Sequence, residues 1–113
     1  MHKFSGMDIE LTKGDSIQFK VTFSGRDLPE GSIALFTVKA KPKDEEPVIE
    51  KRIEISADST ALIAVSSEDS NVPARTYYWD IRVLIPLHDG ENYEVRTPME
   101  YAAFTILEVI GDV

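Results

Sequence analysis

The stretch Tyr77-Tyr78-Trp79-Asp80-Ile81-Arg82-Val83-Leu84-Ile85 restricts the possible folds more than any other part of the chain. Its odd positions read Tyr, Trp, Ile, Val, Ile, and its even positions carry Tyr, Asp, Arg and Leu. A period of two with one continuously apolar face is the mark of a half-buried β-strand. Each of those large side chains contributes about 1.5–3 kcal/mol when fully buried. A domain is typically stable by only about 5–15 kcal/mol in total, so a fold that leaves this face in water is excluded.

The same alternation recurs along the chain. Met7, Ile9 and Leu11 alternate with Asp8, Glu10 and Thr12, which predicts a short first strand, and residues 1–6 carry no pattern and are expected to be a frayed start. Lys13-Gly14-Asp15 is a turn, with Gly supplying a positive φ. Ile17, Phe19, Val21 and Phe23 then share one face of a second strand. Residues 32–40 are apolar on both phases, as in a central strand covered on both sides. In the segment 48–55, Ile49, Ile53 and Ile55 form the apolar face, and Lys51 falls on that same phase. An inward-pointing charge discourages aggregation at a sheet margin, so this strand is placed at an edge. Residues 60–66 give a further strand. Residues 67–71 can form one helical turn, which Pro73 stops. Asp89-Gly90 is a hairpin signal, after which residues 93–97 pair back onto the Tyr77–Ile85 strand.

The C-terminal segment reads two ways. Thr97-Pro98-Met99-Glu100 is a capping box, and Met99, Ala102, Ala103, Ile106, Leu107 and Ile110 follow helical spacing. A strand over residues 102–109 instead places Phe104 and Ile106 on one face and suits the β-favouring Phe-Thr-Ile. The strand is the preferred reading, with a bulge near residues 101–103.

Seven or eight strands separated by turn chemistry predict an all-β fold, a single antiparallel sandwich spanning residues 1–113. Its core is expected to contain Phe19, Val21, Tyr77, Trp79, Ile81, Val83, Phe104 and Ile106, with Trp79 and the Ile17–Phe23 strand in opposed sheets. There is no cysteine, so packing rather than disulfides must hold the fold. No apolar run approaches the length of a membrane span, and the first residues lack the apolar region of a secretory leader. The formal net charge of −8, with lysines and arginines scattered, argues against a nucleic-acid partner.

No catalytic pattern is present. The two histidines, His2 and His88, are far apart and lack an orienting partner nearby, so solvated histidines are the simpler reading. There is no nucleophile elbow, P-loop or zinc-protease motif. Asp44-Glu45-Glu46 and the acidic residues around Gly90 lack calcium-loop spacing and read as solvated carboxylates, and no cofactor is expected. Glu68 and Asp69 read as turn charges rather than as a catalytic pair. The polar face of the Tyr77–Ile85 strand carries Tyr78, Asp80, Arg82 and Leu84, where Asp80 and Arg82 can pair with Glu94 or Arg96 of the next strand. Tyr and Arg are enriched at interfaces, so these residues are the candidate contact surface for another protein.

Several blocks, in order, resemble a small immunoglobulin-like sandwich of phage and prophage tail or baseplate structural proteins. They are Gly14-Asp15 before Ile17-Gln18-Phe19, the segment from Ile33 to Lys39, Pro73-Ala74-Arg75-Thr76-Tyr77-Tyr78-Trp79-Asp80-Ile81, and Arg96-Thr97-Pro98 followed by Phe104-Thr105-Ile106-Leu107 and Val109. Arg75 stands where that family usually has Gly, which removes the positive φ expected before the strand. The resemblance implies a non-catalytic assembly module that joins other subunits in a virion, or in the bacterial cytoplasm before assembly. It also implies a tyrosine corner at Tyr77, whose hydroxyl bonds back to the backbone. The alternative reading is an immunoglobulin-like binding module of a bacterial surface or secreted protein, recognising protein or carbohydrate.

Overall fold

A computed structural model describes residues 2–5, 7–23, 28–56, 58–87, 93–96 and 101–109; for residues 2–5 and for Arg96 it describes the backbone alone. All regular structure among these residues is β. The strands are β1 (His2–Ser5), β2 (Asp8–Thr12), β3 (Ile17–Thr22), β4 (Ile33–Lys39), β5 (Ile49–Glu54), β6 (Thr60–Val65), β7 (Thr76–Pro86), β8 (Tyr93–Arg96) and β9 (Ala102–Leu107). Among the described residues no helix is long and apolar enough to cross a membrane.

The strands form two sheets. The larger runs β1-β2-β9-β7-β4-β5, with β8 also paired to β7, and the smaller is β3-β6. Strand β7 is eleven residues long and lies beside β9, β4 and β8, so the stretch singled out by its alternation is the hub of the large sheet. Its odd positions from Tyr77 to Ile85 are buried, and its even positions are half-buried or exposed.

Inward side chains of both sheets make one core. Phe19 of β3 meets Phe36 of β4 edge-on at 5.9 Å and Trp79 of β7 at 6.1 Å, which places β3 against the large sheet as expected. Tyr77, Trp79, Ile81, Phe104 and Ile106 belong to the buried cluster, while Phe19 and Val21 are half-buried and pack on its flank. Val83 is buried as expected but lies outside the contiguous cluster. Trp79 is 4% exposed, and its indole N–H donates to the carbonyl of Met7 at 3.0 Å, so the large ring is dry and its one polar atom is satisfied.

Three expectations are corrected. The large sheet is mixed rather than antiparallel, because β2 runs parallel to β9 with Ile9 beside Phe104 and Leu11 beside Ile106. This pairing aligns two apolar faces from opposite ends of the chain. Second, the start is not frayed from residue 2 onward. His2–Ser5 folds back antiparallel on β2, with Phe4 opposite Ile9, so the described residues hold nine strands rather than seven or eight. Third, residues 102 and 103 lie in a regular ladder with β7, so the bulge expected at 101–103 does not extend into them. Between the pairs Val83–Arg96 and Trp79–Ala102 the second chain has two more residues than β7, and Tyr101 belongs to that stretch, whereas residues 97–100, with the expected capping box, lie outside the described residues.

Other expectations are met in detail. Residues 102–107 are strand, β5 is an edge, and β4 is central between β7 and β5, although it is buried on one face only, with Ile33, Leu35 and Thr37 half-buried on the other. Gly14 has φ +87° in the turn where Asp15 N donates to Thr12 O at 2.9 Å. The segment after β6 makes one turn of helical bonding and no more, with Ser70 N donating to Ser66 O at 3.2 Å. Ser66 N donates to Asp69 Oδ2 at 2.9 Å and Asp69 N to Ser66 Oγ at 3.1 Å, a reciprocal cap.

Candidate functional site

The even residues of β7 face away from the core, and strand register decides what stands beside them. Leu84 is opposite Ile33 of β4 on one side and Val95 of β8 on the other. Arg82 is opposite Leu35, which is opposite Arg52 of β5; Asp80 is opposite Thr37, and Tyr78 is opposite Lys39 and Ala103. The four candidate residues Tyr78, Asp80, Arg82 and Leu84 thus share one outward face, although alternation on β7 alone could not show their neighbours.

Two parts of this face differ in chemistry. Ile33, Leu84 and Val95 form an apolar row across three strands, and Val95 is 55% exposed. Tyr93, on the same phase of β8 as Val95, is also exposed. Toward the other end, Tyr78 meets Tyr101 edge-on at 5.5 Å, and Tyr101 is 58% exposed. Beside this pair lies a groove of about 160 Å³ with Thr37, Asp80 and Arg82 on its floor and Pro42, Pro47 and Tyr101 on its walls. The loop carrying the two prolines is held in place locally. Asp44 N donates to Lys41 O at 3.0 Å, Lys41 N donates to Asp44 Oδ2 at 3.1 Å, and Val48 N bonds Val38 O at 2.7 Å.

Strand register sets Glu94 opposite Ile85 and the backbone of Arg96 opposite Val83, so neither stands directly across from Asp80 or Arg82. Arg82 instead approaches Asp80 on its own strand, Nε to Oδ2 at 4.0 Å, an exposed contact worth under about 1 kcal/mol.

The Asp69 carboxyl and the Tyr77 phenol have displaced pKa values that bear on the fold. Burial pushes the Asp69 carboxyl up, but hydrogen bonds from Lys51 and Ser66 and the Lys51 charge outweigh it and hold the group below the ordinary carboxylate value. Lys51 Nζ sits 2.8 Å from Asp69 Oδ2, so the inward lysine of the edge strand is paired with the turn after β6. Burial raises the Tyr77 phenol above its ordinary value, opposed by the charge of Arg75, whose guanidinium lies 5.5 Å from the ring centre. Tyr77 donates its hydroxyl to Pro73 O at 2.7 Å, which is the expected corner. Arg75 has no positive φ, and it braces this corner while its Nη2 reaches Ala40 O at 3.4 Å.

Among the described residues no group of three or more His, Asp or Glu side chains is placed to hold a metal ion. His88 and the acidic residues around Gly90 lie outside the described residues, as does the side chain of His2. The outward face offers flat aromatic rings, aliphatic side chains and a few opposite charges. Such a surface suits noncovalent recognition of another surface. Sequence reasoning missed Tyr101, Val95, Ile33 and Leu35 as members of it, because only the pairing of β7 with β9, β8 and β4 brings them together. A scan against protein-family models finds no match, and a search of curated proteins finds none either.

Proposed function

We propose that this chain is a non-catalytic, immunoglobulin-like sandwich that joins protein subunits through the outer face of its large sheet, as an assembly module of a phage or prophage tail or baseplate. The observation that carries the subunit-joining role is that the Ile33–Leu84–Val95 row and the Tyr78–Tyr101 pair share one outward face, with Val95 and Tyr101 exposed. Half-buried Ile33, Leu84 and Tyr78 beside exposed Val95 and Tyr101, with Arg52, Glu54 and Glu50 toward the margin on β5, have the make-up of an interface core and rim. Support for the immunoglobulin-like reading comes from the tyrosine corner at the start of β7 and from the two-layer core. The phage kinship rests on the block order described above.

The test is co-purification of the chain with the products of its neighbouring genes, followed by light scattering of the complexes. Stoichiometric complexes that Leu84→Asp abolishes support the proposal, while a strictly monomeric protein among genes of metabolism counts against it. A second reading, carbohydrate recognition, draws on one feature, the Tyr78–Tyr101 pair beside Asp80 in the groove. A glycan array without binders removes it.

A further inference from the structure

Strands β3 and β6 form a sheet of two, and the core covers them unequally. The inward residues of β6, Ala61, Ile63 and Val65, are at most 1% exposed. On β3, Phe19 and Val21 are only half-buried, and so is Phe23 just beyond the strand.

The backbone of β3 has one side spoken for. Phe23 N donates to Ser59 O at 2.8 Å, and these residues continue the register that pairs Thr22 with Thr60. Bonded pairs alternate in an antiparallel ladder, so Ile17, Phe19 and Val21 turn their N–H and C=O groups toward β6. Gln18, Lys20 and Thr22 turn theirs away, and among the described residues no strand pairs with that side of β3. The outer margin of β6 differs, because Thr60 O already accepts from Ser56 N and Ser56 Oγ, both at 2.9 Å. Edge strand β5 differs too, since it carries the inward Lys51.

We infer that the free edge of β3 accepts an extended segment of a partner protein by strand addition, with alternate apolar side chains directed to Phe19 and Val21 and an acidic residue beside Lys20. Only an extended backbone can bond the three-residue row of Gln18, Lys20 and Thr22. Its period-2 side chains then fall over the half-buried face of β3. Lys20 selects the partner's charge. In a two-fold pairing of β3 with a second copy centred on this residue, Lys20 stands against Lys20, and like charges directly opposite are destabilising. Asp58 in the turn before β6 feels the Lys20 charge, but the residue directly opposite Lys20 in the ladder is Leu62, so no acid stands across from it within the sheet. This site is separate from the outer face of the large sheet and does not depend on that proposal.

The probe is the capped heptapeptide Thr-Val-Glu-Ile-Glu-Val-Thr, titrated into the full isotope-labelled chain. The amides of Gln18, Lys20 and Thr22 are expected to shift and to gain protection from hydrogen exchange, with Tyr78 and Leu84 unchanged. Lys20→Glu is expected to weaken binding roughly 3- to 10-fold and to favour the same peptide with lysine in place of glutamate. Methylating the peptide's backbone nitrogens on the pairing side should abolish binding to the unaltered protein, which tests the inference without any protein variant. Silence at those three amides with millimolar peptide overturns the inference. So does binding that survives N-methylation, or a protein that dimerises through this edge by itself.

Discussion

The hydroxyl of Ser70, a residue with no exposure, donates to the carbonyl of Asp15 at 2.6 Å and accepts the amide of Gly14 at 3.1 Å. One small side chain thus ties the turn between β2 and β3 to the turn after β6, across 55 residues of sequence. Ser70→Ala leaves two partly buried backbone groups without this partner, so a loss of about 1–3 kcal/mol is expected. Urea denaturation measures it. A loss below a few tenths of a kcal/mol would show that water replaces the hydroxyl without cost.

Tyr77→Phe removes the bond to Pro73 O while keeping the ring, and a loss of about 0.5–1.5 kcal/mol is expected. The two proteins should also differ in alkali. The folded phenol has a raised pKa, so its contribution is fully present below the ordinary value of 10.0 and is lost as pH rises through the folded value. Thermal melts from neutral pH upward should fall more steeply above that value for the unaltered protein than for Tyr77→Phe.

Asp69 behaves in the opposite sense. Its folded pKa is depressed, so its contribution is present above the ordinary value of 3.8 and is lost as pH falls through the folded value. Asp69→Asn keeps an oxygen for the Ser66 amide and removes the charge that Lys51 meets. Acid titration followed by fluorescence should show a shallower loss of stability for this variant. An unchanged acid slope would assign the acid sensitivity to other carboxylates.

Ser59 holds φ +61° in the turn between β5 and β6, a conformation that costs a non-glycine residue about 1 kcal/mol. Ser59→Gly relieves that cost but frees the unfolded chain, so it should be neutral or slightly stabilising. Ser59→Val should be clearly destabilising because a β-branched residue tolerates this region worst. Paired denaturant midpoints decide the order, and a valine variant as stable as the glycine variant would contradict the backbone reading.

Leu84→Asp and Tyr101→Ala act on an outward face and should change the melting temperature little, while reducing association with partner subunits. Light scattering beside calorimetry separates the two effects. A large loss of stability in both variants would make this face part of the fold rather than a contact surface.

The sequence by itself determined which side of each strand meets the core. Period-2 alternation fixed the buried phase of β7, β3 and β6, because successive side chains of an extended chain must point to opposite faces. It also marked Lys51 as an edge residue, Gly14 as the turn residue with positive φ, and Tyr77 as the corner, since each is a local conflict or requirement that a single residue type answers. Only the tertiary structure decided which strands are neighbours. The parallel pairing of β2 with β9, the Ser70 latch and the meeting of Leu84 with Ile33 and Val95 depend on chain segments far apart in sequence. Alternation sets a strand's phase but leaves its partner free, so any strand with the same apolar period satisfies it; closing one shared core around Phe36 and Trp79 is what selected among them.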